Sequence, residues 1–289
     1  MQEQLRHMWL ELTRMCNLRC VHCYASAGTD LPLTEGMTTE DWIRVLQERR
    51  NENCKSVQFI GGEPLLHPDL EILIRTAKSL GYENVEVFTN GTLLTSRFLR
   101  TCVELGIKLA FSFYSSDPEI HDSITDRKGS YHRTLKAIDS ALERVLSVRV
   151  GIIQINQSEE EIERIKMFLK SRGVVSIGVD RMRKIGRADT NGSYQDPEAQ
   201  LQELCGACHN GKLCVTATGT FYPCIMARSW PVGDIRDGLW CVVHSEALST
   251  FRKKQQAFLE KRMSDCNPIC YPDVCIPSNP CRHLCVPRY

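Results

Sequence analysis

Three cysteines near the start of the chain could do chemistry together. Cys16, Cys20 and Cys23 stand in Met15-Cys16-Asn17-Leu18-Arg19-Cys20-Val21-His22-Cys23-Tyr24, a C-x3-C-x2-C spacing. Three thiolates on one short loop can hold three irons of a cubic [4Fe–4S] cluster and leave the fourth iron open. An open iron can bind another molecule, whereas four protein thiolates close a cluster for electron transfer. Two plainer readings stay open on spacing alone. Structural zinc wants four nitrogen or sulfur ligands, and His22, inside the loop, is badly placed to complete a tetrahedron. A disulfide would use two cysteines and strand the third.

A second candidate is Gly61-Gly62-Glu63-Pro64. Two glycines let backbone approach a ligand closely. Pro64 fixes the turn and can open a helix. Glu63 can accept hydrogen bonds from an ammonium group. Taken alone, the stretch is equally an ordinary strand-to-helix turn.

The elements that must position these residues show two alternating periods. Apolar strand-like runs cover 8–13, 56–60, 84–89, 107–114, 148–155 and 174–182. Helical faces lie between them: Leu70, Leu73, Ile74, Ala77 and Leu80; then Leu135, Ile138, Leu142 and Val145; then Ile162, Ile165 and Leu169. Ser158 and Glu161 are set as a capping box, and Gly81, Gly106 and Gly173 read as helix stops. Six alternating units predict an α/β fold with a parallel sheet and right-handed crossovers, either a partial barrel or an open doubly wound sheet. In both, function gathers at the C-terminal ends of the strands. The cysteines follow the first strand and the glycines the second. A polar stretch at 186–197 marks a boundary, with short strands, a helix around 245–262 and a Cys/Pro-rich tail beyond it.

Bulk composition bounds the function. The formal net charge of +1 argues against general nucleic-acid binding. The polar N-terminus has no apolar signal core, and no run approaches a membrane span, so a cytoplasmic protein is expected. There, abundant cysteine points to metal more than to disulfides. Of 15 cysteines, ten fall between Cys205 and Cys285, so the tail is a second candidate site. Cys54 and Cys102 read as buried packing residues, and Cys241, ahead of an apolar pair, is expected in the core.

The cysteine motif, the Gly-Gly-Glu-Pro turn and the strand–helix order together resemble the radical S-adenosylmethionine (SAM) superfamily, over roughly residues 8 to 187. The resemblance implies a partial (β/α)6 barrel of the TIM type at residues 1–187. It also implies a [4Fe–4S] cluster on Cys16, Cys20 and Cys23, with SAM on the open iron. One-electron cleavage of SAM would then give a 5′-deoxyadenosyl radical. By the same resemblance Gly61, Gly62 and Glu63 meet the methionine amino group. Thr89 and Asn90 lie beneath the ribose, and Ser112 contacts SAM from the fourth strand. Asn156 and Met182 end strands five and six, and His22 takes the place of an aromatic residue over the cluster. An aspartate common two residues after the serine is replaced by Tyr114. Arg181, Arg183, Lys184 and Arg187 are candidates for a carboxylate, or simply a solvated basic segment.

Residues 188–289 resemble a SPASM or twitch domain, which implies one or two auxiliary [4Fe–4S] clusters. The implied ligands come from Cys205, Cys208, Cys214, Cys224 and Cys285 for one cluster, and Cys266, Cys270, Cys275 and Cys281 for another. A tail zinc site is the competitor, and His209 and His283 are alternative ligands. The last part departs from the SPASM pattern, with x3 and x4 gaps where C-x2-C is usual.

Family analogy then points to an enzyme that modifies a ribosomally made precursor peptide, forming a thioether, C–C or C–O link or oxidising a side chain. A small-molecule dehydrogenase or dehydratase is the alternative. A non-catalytic Fe–S carrier or sensor is another, which the combined loop and turn oppose. A flavodoxin- or ferredoxin-type reductant is implied. The short stretch before Cys16 cannot hold a leader-binding fold, so a leader is expected on the barrel surface, the tail or a separate protein. No general base can be assigned, since acids at 117, 119 and 122 also suit a helix N-terminus.

Overall fold

The computed structural model describes residues 4–48, 54–190, 192, 196–208 and 211–264. Six strands carry the first part: β1 (His7–Glu11), β2 (Ser56–Ile60), β3 (Asn84–Thr89), β4 (Lys108–Ser112), β5 (Val148–Gln154) and β6 (Ser176–Arg181). They are parallel neighbours in the order β6-β5-β4-β3-β2-β1. The helices between them are α1 (Thr39–Glu48), α2 (Leu70–Ser79), α3 (Ser96–Leu105), α4 (Pro118–Thr125), α5 (Ser130–Leu142) and α6 (Glu159–Ser171). This is the α/β partial barrel that the resemblance implies, one of the two forms left open by the alternation.

Side-chain alternation divides the sheet into two faces. Met8, Leu10, Val57, Phe59, Val85, Val87, Leu109 and Phe111 are fully buried with helix residues such as Trp42, Leu73 and Ile138. Removing a side chain of this size from water stabilises by roughly 2–3 kcal/mol. The opposite face is polar. Glu86 accepts from Gln58 and pairs with Arg149 at 2.7 Å, while Trp9 and Glu11 alternate along β1.

Local signals act as read. Ser158 and Glu161 form the capping box of α6, and Asp117 caps α4 through Glu119 and Ile120. Val145 does not belong to its expected face. It lies beyond α5 in a left-handed turn (φ 57°) and is 92% exposed, because the helix ends at Leu142 before that face is completed.

The second part adds to the same sheet. After α7 (Pro197–Glu203) the chain returns as β7 (Lys212–Thr216), parallel to β1 on the side away from β2. Strands β8 (Thr220–Tyr222) and β9 (Gly233–Asp234) extend it antiparallel. Helices α8 (Leu239–Val243) and α9 (Glu246–Ser264) follow. Sheet and main core therefore run across the position 187/188, where the sequence reading divides the chain. β1 is thereby flanked by a parallel strand on each side.

Cys54 and Cys102 are fully buried, as expected. Cys241 is exposed. On α8 the inward face is Leu239, Val242 and Val243, and helical spacing turns residue 241 outward. No helix among the described residues is long and apolar enough to cross a membrane.

Candidate functional site

The loop after β1 is held by its own backbone and by groups from three other elements. Cys16 N–H donates to Gly28 O (3.0 Å) and Gly28 N–H to Arg14 O (3.3 Å). Arg19 and Val21 donate to Thr125 and Ile124 at the end of α4, at 3.1 and 3.0 Å. From the turn after β2, Gly62 N–H reaches Thr13 O (2.6 Å) and Glu63 N–H reaches Met15 O (2.9 Å). Past β6, Arg187 N–H donates to Cys23 O (3.0 Å), and its guanidinium donates to the carbonyls of Cys20 (2.5 Å) and Ala27.

This arrangement explains Gly62. A Cβ there would stand 2.2 Å from the Met15 carbonyl oxygen. The close approach that the two glycines permit is to the chain's own cysteine loop. The basic segment is likewise used internally: Arg181 pairs with Glu203 (2.8 Å) and Arg183 with Asp180 (2.6 Å), while Arg187 clamps the loop.

Glu63 is fully buried. Its carboxylate accepts from Leu65 N (3.0 Å), Thr89 Oγ1 (2.6 Å) and Asn90 N (2.8 Å). It thus ties the turn after β2 to the end of β3. Burial holds its carboxyl up to about 7 against those hydrogen bonds. Asn90 extends the tie to the cysteines, donating through Nδ2 to Asn17 Oδ1 (3.0 Å) and to Cys16 Sγ (3.8 Å). Asn17 is a member of the site that no pattern in the sequence marks.

Cys16, Cys20 and Cys23 pack in one small cluster with Leu18, Ala25 and Ala27. Leu18 N–H points at Cys16 Sγ and Ala27 N–H at Cys23 Sγ, each at 3.4 Å. Burial, reinforced by the Glu63 charge, pushes Cys16 up to about 12. Burial and the neighbouring thiols also push Cys20 up, and burial raises Cys23. Such thiols ionise when a cation takes the place of their protons. N–H donors aimed at sulfur suit iron–sulfur ligands, so the donor set fits a cluster.

His22 lies beside the cysteines with its ring edge on Tyr114, centroids 4.7 Å apart. Its Nδ1 is buried with no hydrogen-bond partner among the described residues. Burial, then Arg187, lowers it to about 4, so it is neutral at pH 7. Tyr114, where the resemblance implies an aspartate, is buried, with its hydroxyl hydrogen-bonded to Ser112. The same group of residues therefore gathers His22, Ser112 and Tyr114. Met182 is half-buried past β6, its N–H bonded to Gln154 O (2.8 Å), and Asn156 is exposed past β5. Both stand at this end of the sheet.

The described tail cysteines other than Cys241 fall into two places. Cys208 and Cys224 sit with sulfurs 2.7 Å apart in a second small core of Leu201, Leu204, Ala227 and Phe251, against which Trp9 packs. Cys205 joins them from the exposed side: a hydrogen bond from Cys208 lowers Cys205 and raises Cys208. Cys214 lies on β7, opposite Trp9 and Tyr222. Cys266, Cys270, Cys275, Cys281, Cys285, His209 and His283 fall outside the described residues.

Residues 10–169 match the family model of the radical SAM superfamily, and residues 198–271 match that of SPASM, an iron–sulfur cluster-binding domain. The first match spans more than half of the chain, which therefore belongs to the radical SAM superfamily. Among named relatives, the AdoMet-dependent heme synthase of Methanosarcina barkeri is 29% identical over 180 residues, 62% of this chain and 51% of that protein. The sporulation killing factor maturation protein SkfB of Bacillus subtilis is 28% identical over 180 residues, 62% of this chain and 43% of that protein. The chain thus aligns with about half the length of these relatives. Streptococcus suis SuiB bound to S-adenosylmethionine shares the fold at 15% identity and TM-score 0.69, over 86% of this chain and 68% of SuiB.

Proposed function

We propose that this chain cleaves S-adenosylmethionine reductively and uses the resulting radical to modify a ribosomally synthesised peptide. The observation that carries the reading is the three-thiol loop locked onto the Gly-Gly-Glu-Pro turn by Gly62 and Glu63 N–H groups. When bound, the cluster and SAM supply a 5′-deoxyadenosyl radical that takes a hydrogen atom from substrate. The chain's own residues do the rest. Cys16, Cys20 and Cys23 would hold the cluster through their thiolates. Asn90 and the loop N–H groups orient the sulfurs. Glu63 stays on Thr89 and Asn90, fixing the turn whose backbone, with Gly61 and Gly62, meets the methionine end of SAM. Ser112, Asn156 and Met182 receive the nucleoside end, and the rings of His22 and Tyr114 keep water from the cluster.

A peptide substrate is supported by the likeness to the SkfB maturation protein and by the fold shared with SuiB, which is also solved with its precursor peptide SuiA. A flavodoxin- or ferredoxin-type reductant and a separate leader-binding protein belong to the same proposal. So do one or two auxiliary clusters in the tail. The similarity to a heme synthase favours a small-molecule substrate as the second reading.

Anaerobic reconstitution with iron and sulfide, then dithionite and SAM, tests the reaction. The expected product is 5′-deoxyadenosine. Full iron loading without it would sink the proposal. Replacing Cys16, Cys20 and Cys23 together with Ala should abolish SAM cleavage and leave the tail iron in place. Incubation with candidate precursor peptides, read by mass spectrometry, separates peptide from small-molecule substrates.

A further inference from the structure

One buried ion pair stands between the two cysteine regions. Glu11 ends β1 on the polar face of the sheet and is 1% exposed. Arg228, four residues past Cys224, donates to both of its oxygens, at 3.3 Å from one nitrogen and closer from the other. Arg228 Nε donates to Ile225 O at 2.7 Å. Tyr24, the residue after Cys23, donates its hydroxyl to Glu11 at 3.3 Å. The guanidinium carbon lies 5.4 Å from the Tyr24 ring centre and 5.3 Å from that of Tyr222. Both are cation–π distances. Tyr222 is the cross-strand neighbour of Cys214, and Glu11 and Cys214 stand on one face of the β1–β7 ladder.

The charges of this pair reach both sites. Glu11 and Tyr222 lie on the strands that flank Cys214, and Arg228 is bonded through Nε to the carbonyl of the residue after Cys224. Tyr24 carries the contact to the first loop, since it follows Cys23 and donates to Glu11. Salt screens buried charges much less than exposed ones, so a single uncompensated charge here acts on both groups of cysteines. The same residues line a cavity of about 470 Å³ that also touches Ser26, Gly186 and Thr218.

We propose that the Glu11–Arg228 pair, held between Tyr24 and Tyr222, is a shared positioning and tuning element that sets the reduction potentials of both iron–sulfur sites. The inference rests on the reading that both cysteine groups carry iron. Cluster potentials follow net charge and neighbouring dipoles, and groups around the ligands tune a metal site. The intact pair is neutral. Without the Arg228 charge, the Glu11 carboxylate opposes electron entry and both potentials fall. Without the Glu11 charge, the guanidinium favours it and both rise.

The test is an EPR-monitored redox titration of the full reconstituted chain, with iron counted first. Glu11→Gln should raise both potentials, Arg228→Met should lower both, and the double variant should return close to wild type. Shifts of one sign in both single variants, or a double variant displaced further than either, would mean looser packing and overturn the proposal. Arg228→Lys covers failure of the Met variant to fold. It keeps the charge and should titrate with wild type, whereas a shift as large as that of Glu11→Gln counts against the idea. A tail that takes up no iron overturns the inference. Potentials that respond as expected in a protein that never forms 5′-deoxyadenosine would support this inference and defeat the proposed reaction instead.

Discussion

The two cysteine regions are built on different principles. The loop after β1 is fixed mainly by backbone: N–H groups and carbonyls of the loop itself, the turn after β2, the end of α4 and the segment past β6 close on it. Among the described tail cysteines, Cys205, Cys208 and Cys224 are fixed mainly by side chains. Cys208 and Cys224 meet sulfur to sulfur in a core of a few residues, and Cys205 touches them from the exposed side. A backbone-locked loop has its geometry before iron arrives. A group of adjoining thiols gains most of its definition from a metal that replaces their protons. The site expected to bind an exchangeable small molecule is thus the one with more backbone hydrogen bonds around it.

Gly62→Ala should break this contrast most severely. Its Cβ would meet the Met15 carbonyl at 2.2 Å, so the turn must leave the loop, at about 3 kcal/mol. Urea denaturation and iron counting should show lower stability and loss of the iron held by the first loop, with tail iron retained. Wild-type iron and stability in this variant would show that the lock is not needed.

Arg187→Met removes two charged hydrogen bonds to loop carbonyls and should cost about 2–3 kcal/mol. The checking measurement is amide hydrogen exchange. Residues 16–28 should lose protection, and those of β7 and β8 should not.

The pH response should also come from the barrel half. Burial lowers His7 and His121 from the usual 6.5 to about 4. Between those values the unfolded chain binds the extra protons. Stability from these groups is therefore fully present above about pH 6.5 and is lost as the pH falls toward 4. Glu63, raised to about 7, works in the opposite direction. The contribution of His121 is accordingly read as a difference: His121→Gln should flatten the wild-type loss between pH 7 and pH 5 by on the order of 2 kcal/mol. Parallel urea midpoints for the two proteins across that range would contradict the assignment.

Cys241→Ser should do least. The residue is exposed on α8, and the change should stay within about 0.5 kcal/mol with full iron content. Loss of iron would move Cys241 into the tail site and redraw the comparison.

The residues that bear the chemistry were legible in the linear chain to different degrees. Cys16, Cys20 and Cys23 lie within one loop, so their spacing alone implies their meeting. The six strand–helix units follow from local periodicity, and Ser158 with Glu161 from a local motif. Val145 and Cys241 read wrongly because a run of apolar residues does not reveal where a helix stops or which side faces in.

Sequence by itself determined the radical SAM loop, the turn that meets it and the alternation that puts both at one end of a sheet, since each depends on residues close in the chain. Only the tertiary structure decided that Glu63 is spent on Thr89 and Asn90, that Arg187 clamps the loop, that β7 docks beside β1, and that Glu11 finds Arg228. Those partners lie 26 to 217 positions apart. Local pattern carries no information at that range, because burial and pairing over such distances are set by how the whole sheet closes.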